Sequence, residues 1–277
     1  MNFKKLSFIL FIALILSSLT LAAPALLTIH FIDVGQADCI LVHTPAGHNM
    51  LVDAGNNADA ETVTGYLSRQ GVKKIDVLVG THPHEDHIGA MDVVIQQYQI
   101  GKIYMPKVST NTKTFRDVLL AIKGKGLKVT SPVPGSTIDL DPTVQVQILA
   151  PNSAKYKDLN NYSIVLKVTY GQTSFLLTGD AERESEKEML AKGYDLKADL
   201  LKVGHHGSNS STSAAFLKTV APTYAIISVG ADNKYGHPSQ TTINRLNRAG
   251  IKVYRTDQNG TVTAKSDGQK IIIKTVK

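Results

Sequence analysis

His82, His84, Asp86 and His87 place three imidazoles and a carboxylate within six residues. Imidazole nitrogen and carboxylate oxygen are donors that zinc, manganese and iron accept. Pro83 bars a regular helix through the start of the run. A loop there can send His82 and His84 to one side and Asp86 with His87 to another, which suits two adjacent divalent ions. Two such ions sharpen a shared water into a nucleophile, so the chemistry is metal-assisted hydrolysis. The alternative is a histidine-rich surface turn. Glu85, between the donors, is expected to face solvent.

Further donors lie far along the chain. Asp180 ends the apolar run FLLTGD and is either a metal ligand or the N-cap of a following helix. His205 and His206 are adjacent in GHHGSNSS. Neighbouring side chains in extended backbone point apart, so one is expected on a metal and the other on a substrate oxygen or leaving group. His237, in KYGHPS, is a last metal ligand, a substrate-binding residue or a plain loop histidine. Asp33 and Asp38 flank the Gly35 turn; each is a partner for an imidazole N–H or a turn residue bonded to local backbone. Asp53 stands in the same position. Ser208 and the Gly207 N–H offer hydrogen bonds to an oxyanion, and Lys202 and Lys234 could attract phosphate oxygens. His30, His43 and His48 are given no role.

These residues need elements to hold them. Strands are expected at 28–33, 39–44 and 49–53, a helix at 59–70 and a buried strand at 76–80. The His-rich run follows, and after it a helix to Tyr98. A strand at 102–105, a helix at 114–123 and a strand at 144–149 come next. A hairpin at 163–177 turns at Gly171-Gln172 and delivers Asp180, ahead of a helix at 181–192. Strands at 199–203 and 224–229 and near Val253, Val262 and Ile272 complete the chain. The stretch 125–142, rich in Gly and Pro, is expected to be an irregular connection between two halves.

The 277 residues are 43% hydrophobic and 19% charged, with one Cys. That composition excludes a disordered tail, a collagen, a disulfide-stapled miniprotein and a multi-span membrane protein. Aromatics are 6% with no Trp, a poor supply for a stacking platform. Residues 1–25 carry Lys4 and Lys5, an apolar run and a cluster of small residues, the pattern of a cleaved secretory signal peptide. A secreted or extracytoplasmic protein without a stable membrane span is expected, with one domain over 26–277. The net charge of +7 falls to +5 without the two lysines, a modest bias towards anionic partners.

HPHEDHIGA resembles the HxHxDH motif of the metallo-β-lactamase superfamily. FIDVGQADCILV resembles the DVGQGDA signature of the branch related to the C-terminal domain of ComEC, the competence DNA-uptake channel. GHHGSNSS, after LLTGDAE, resembles the same branch. The likeness runs from about Ile29 to Tyr254. It implies an α/β fold, the αββα four-layer sandwich, with a two-metal site at one edge. His82 and His84 would bind the first metal, Asp86, His87 and His206 the second, and Asp180 would bridge them. Asp86 and His205 would serve catalysis. Many members carry another histidine between the motif and the bridging acid; here none occurs from 88 to 204, and Asn160, Asn161, Tyr162 and Ser163 stand there instead. That opens the first site and offers Asn160 and Ser163 to the substrate. The implied cofactors are two divalent ions, zinc or manganese. The implied substrate is a phosphodiester, either nucleic acid or a phosphocholine-type ester, with a part in competence and DNA uptake by analogy. Two other readings are hydrolysis of carboxylic esters, lactones or β-lactams, and a non-catalytic DNA- or cell-surface-binding module.

Overall fold

Successive strands point apolar side chains to both of their faces, and both faces are covered. The computed structural model describes residues 25–277, so the expected export segment lies outside the described residues apart from its last position. In chain order, β1 (Leu27–Phe31), β2 (Ile40–His43) and β3 (Asn49–Val52) form a meander, and α1 (Ala60–Arg69) leads to β4 (Lys74–Val79). Helices α2 (Glu85–Ile88) and α3 (Met91–Gln97) precede β5 (Gln99–Tyr104), and α4 (Lys113–Gly124) leads to β6 (Val129–Thr130). Strands β7 (Thr137–Asp141), β8 (Val144–Ala150), β9 (Val165–Tyr170) and β10 (Thr173–Leu177) follow. Next come α5 (Arg183–Ala191), β11 (Leu200–Lys202), α6 (Ala214–Val220), β12 (Tyr224–Ile227), α7 (Gln240–Arg248) and β13 (Lys252–Arg255). The short α8 (Thr256–Asn259) returns the chain to the first sheet, where β14 (Val262–Ser266) and β15 (Ile271–Thr275) lie beside β1.

Among the described residues, one sheet runs β15-β14-β1-β2-β3-β4-β5-β6 and the other β13-β12-β11-β10-β9-β8-β7. Met50, Val52, Val77 and Val79 meet Val146, Val168, Phe175 and Leu177 between the sheets. Leu51 and Leu78 point the other way, onto Leu67, Met91, Val94 and Val118 of the first helical layer. Leu176 and Leu201 likewise meet Met189, Phe216 and Leu246 of the second. Period-two burial on both faces of two sheets is an αββα four-layer sandwich.

One expectation is corrected. The stretch 125–142 contains β6, which pairs with β5, and β7, which pairs with β8, so each sheet gains an edge strand. Edge strands tolerate flanking Pro, which hid them. The helix expected after the His-rich run, ending at Tyr98, is α3, separated from the short α2 within the run by Gly89. A Cβ there would lie 2.1 Å from the Asn56 carbonyl carbon, so only glycine admits this backbone contact.

Candidate metal centre

The C-terminal ends of β3, β4, β10 and β11 converge on one edge of the sandwich, and each delivers a site residue. Strand ends in α/β sheets are where ligands bind, because loops there diverge from a rigid sheet. The loop after β4 is clamped by its neighbours: Asp38 N–H donates to Asp86 O (3.0 Å) and Ala54 N–H to His87 O (2.7 Å). Asp53, His205 and His206 hold positive φ of 60°, 49° and 51°, a conformation non-glycine residues adopt only under tertiary constraint.

Asp180 Oδ2 is the common neighbour. It lies 4.0 Å from His82 Nε2, 3.3 Å from His87 Nε2 and 3.7 Å from both His205 Nε2 and His206 Nε2. On one side His82 Nε2 faces His84 Nδ1 at 3.0 Å. On the other, His206 Nε2 is 3.2 Å from Asp86 Oδ2, and donor atoms of Asp86, His87, Asp180 and His206 all lie within 4.8 Å of one another. The helix after Asp180 starts at Arg183 with Glu182 in the cap position, so Asp180 is not a helix cap.

The opposite ring nitrogens are already engaged. His87 Nδ1 is 2.7 Å from Asp53 Oδ2, His206 Nδ1 is 2.9 Å from the Ser228 carbonyl, and His82 Nδ1 is 3.3 Å from Ser163 Oγ. An Nδ1–H donated outwards leaves the Nε2 lone pair facing the cluster. His87 Nε2 and Asp180 Oδ1 are buried without a hydrogen-bond partner. Two carboxylates, four imidazole nitrogens and unsatisfied buried atoms are a donor set that divalent cations complete.

The charges agree. Burial alone would raise the Asp180 pKa, but His87 and His206 hold it well below the carboxylate range. Burial alone would lower that of His87, and Asp180, Asp53 and Asp86 raise it well above an ordinary imidazole. His82 is held well below the usual value by burial and by His87, so it is neutral and offers a lone pair. A second acidic group, Asp38 with Asp53 and His87, is already neutralised: Lys202 Nζ lies 2.6 Å from Asp38 Oδ2, and His87 bonds Asp53.

Several sequence expectations change. Asp33 accepts from Gly35 N–H (3.3 Å) and faces Lys277 (3.6 Å), so it serves its own turn. Asp38 does reach the site, 3.5 Å from His206 Nδ1. Ser163 is fully buried beneath His82 and also accepts the Asp180 N–H (3.0 Å), so it supports the cluster from below. Asn160 is buried behind His205, 3.4 Å from its Nδ1 and from Glu182 Oε1, and does not line the open cleft. Ser208 bonds Ser210 (2.9 Å) within the turn and is withdrawn from the cleft. The His205–His206 backbone is a kinked turn, not an extended segment, and both rings reach Asp180. His237 lines the cleft mouth, its ring 5.3 Å from that of His205. Lys202 is fully buried, not a surface lysine.

Glu182 went unnoticed in the sequence. Its Oε1 is 3.2 Å from His205 Nδ1, and its only signal was a position two residues past Asp180. Asp53 proves central: besides His87 it accepts the Thr81 N–H (2.8 Å) and hydroxyl (2.7 Å). Asp53→Asn removes the anionic acceptor of His87 and should weaken metal affinity roughly 10- to 100-fold. Competition against a chromogenic chelator measures this; unchanged affinity would remove Asp53 from the site.

An αββα sandwich with histidines and aspartates clustered at its strand ends defines a metallo-hydrolase type of protein. Residues 32–231 match the metallo-beta-lactamase superfamily model, and the chain belongs to that superfamily. It is 33% identical to ComE operon protein 3 of Bacillus subtilis (strain 168), over 84% of this chain and 32% of that protein. It is 34% identical to Competence protein ComA of Neisseria gonorrhoeae, over 82% of this chain and 30% of that protein. The chain thus spans about a third of the length of these relatives. A solved metal-dependent hydrolase of the beta-lactamase superfamily shares the fold with a TM-score of 0.55 at 12% identity, over 83% of this chain and 95% of its own.

Proposed function

We propose that the chain is an extracytoplasmic, metal-dependent phosphodiesterase. The observation that carries this reading is the lining of the cleft over Asp180. The cavity, about 330 Å³, is walled by imidazoles and carboxylates with Gln36 and Tyr235 at its rim, and no aliphatic side chain lines it. A phosphoryl group is small, charged and rich in acceptors; an acyl chain or fused lactam favours apolar walls. The ComEC-like resemblance and the competence relative support a nucleic-acid or phosphocholine-type diester. The export signal expected over 1–25 supports the location. Among the described residues, no helix is long and apolar enough to cross a membrane.

His82, His84 and Asp180 would hold one divalent ion, zinc or manganese, and Asp86, His87, His206 and Asp180 the other. Bound there, the ions would supply a water of lowered pKa and a clamp on the phosphoryl oxygens. Asp86, 32% exposed, is open to the cleft and orients the attacking water. His205 handles the leaving group. Burial would lower its pKa, but the Glu182 hydrogen bond and the Asp180 charge outweigh burial and raise it. As the attacking oxygen, its proton already lost to solvent, bonds to phosphorus and the ester P–O bond breaks, His205 Nε2 would give a proton to the departing oxygen.

His205→Ala should cut kcat by at least about 100-fold on an alkyl diester. It should do little to a p-nitrophenyl diester, whose leaving group departs unprotonated. Equal losses on both substrates would remove His205 from the proton transfer.

The function itself is tested with chelator-stripped protein reloaded with Mn²⁺ or Zn²⁺. The substrates are bis-p-nitrophenyl phosphate, single- and double-stranded DNA, p-nitrophenylphosphorylcholine and nitrocefin. Metal-dependent diester cleavage is expected. Nitrocefin hydrolysis without diester cleavage would overturn the proposal, and so would DNA binding with no hydrolysis of any substrate.

A further inference from the structure

Tyr235 is the one aromatic among the strongly exposed large apolar side chains of the described residues, and it stands on the rim of the cleft. Its loop is pinned. Asn233 Nδ2 donates to the carbonyls of Gly230 (3.0 Å) and His237 (2.6 Å), and its Oδ1 accepts the N–H groups of Tyr235 (3.2 Å) and His237 (3.0 Å). Both ends of the loop are fastened to site-bearing segments. Ser239 N–H donates to Gly207 O (2.9 Å), beside His206. A Cβ on Gly230 would lie 2.7 Å from Gln36 N, so the backbones of these two loops are in direct contact.

The backbone that carries the ring is therefore held in place. The ring stacks on His237 with centroids 5.9 Å apart and planes 26° from parallel, and His237 meets His205 edge-on at 5.3 Å. An aromatic ladder runs from the leaving-group histidine to the rim. Lys234 Nζ lies over the Tyr235 ring, 5.3 Å from its centroid, where an incoming planar group would displace it towards a neighbouring phosphate. An exposed phenol ring on a pinned loop beside a cationic side chain suits an aromatic, anionic ligand: a base on its phosphate backbone.

Building on the phosphodiesterase reading, we propose that Tyr235, backed by His237 and flanked by Lys234, is a stacking subsite for the nucleobase next to the scissile phosphate. The substrate class is then a nucleic-acid strand with unpaired bases, since a duplex keeps its base faces covered. A phosphocholine ester has no planar face to offer the ring.

The test compares a single-stranded hexathymidylate with a hexamer of the same backbone carrying tetrahydrofuran abasic sites, both labelled at the same end. The metal-reloaded full chain is assayed for cleavage (kcat/KM) and for binding by fluorescence anisotropy. The wild type should favour the thymidylate roughly tenfold to a hundredfold, the scale of one base–aromatic stack. Tyr235→Ala should bring that ratio close to one, and Tyr235→Phe should restore it. A purely structural role would lower both probes together and leave the ratio alone. Equal handling of the two probes by the wild type, or an unchanged ratio in Tyr235→Ala, would overturn the subsite. If neither probe is cleaved, the phosphodiesterase reading falls. A thymidylate preference in binding that vanishes in Tyr235→Ala would still uphold the stack, and equal binding would sink it.

Discussion

Asp180→Asn should leave the fold intact and reduce kcat/KM on a phosphodiester by roughly a thousandfold, the upper scale for losing one preorganised electrostatic group. The substitution is isosteric. The Asp180 N–H bond to Ser163 Oγ, 3.0 Å, belongs to the backbone and survives. What disappears is the negative charge that four imidazoles face, with Oδ2 3.3–4.0 Å from their Nε2 atoms. An amide offers one weak acceptor in place of an anion that can serve both sites. Metal content should fall along with turnover, because both donor sets count Asp180. Turnover assays and elemental analysis on the same preparation, with circular dichroism to verify folding, check this. A variant with wild-type activity would mean that the carboxylate is structural.

Lys202→Met should destabilise the protein by about 3–5 kcal/mol, the scale of breaking a buried ion pair by removing one partner. Lys202 and Asp38 are 0% and 1% exposed, and Nζ stands 2.6 Å from Oδ2. Methionine fills much of the same volume, so little of the effect is a cavity. The cost is an unpaired carboxylate in the interior, 3.5 Å from His206 Nδ1. Against a total stability of about 5–15 kcal/mol for a typical domain, that is a large share. Urea unfolding should show a lower midpoint, and the double variant Lys202→Met/Asp38→Asn should recover most of it. A single variant as stable as wild type would mean that water or another charge compensates Asp38.

The His-rich run was legible because its donors are neighbours in one loop, and a spacing of a few residues survives any packing around it. The hairpin delivering Asp180 was legible because two apolar runs within Ser163–Leu177 flank a turn at Gly171-Gln172. The supports were not. Lys202 lies in LLKV, where the lysine reads as solvated until Asp38 is brought across the fold. Glu182 gains meaning only when His205 arrives from a different strand. Asn160 and Ser163 were read as open to substrate because sequence gives adjacency but not depth; both lie under the histidines. Tyr235 drew no notice because composition measures supply, whereas a single ring on a pinned loop is a matter of placement. At the fold level, β6 and β7 were missed because two edge strands with Pro and Gly between them carry little periodicity.

The most direct test is anomalous diffraction from crystals of the chain soaked in Mn²⁺ or Zn²⁺. Two peaks are expected to flank the Asp180 carboxylate, one against His82 and His84 and the other against Asp86, His87 and His206. A cluster with no anomalous density, or ions held elsewhere with these side chains unmoved, would contradict it.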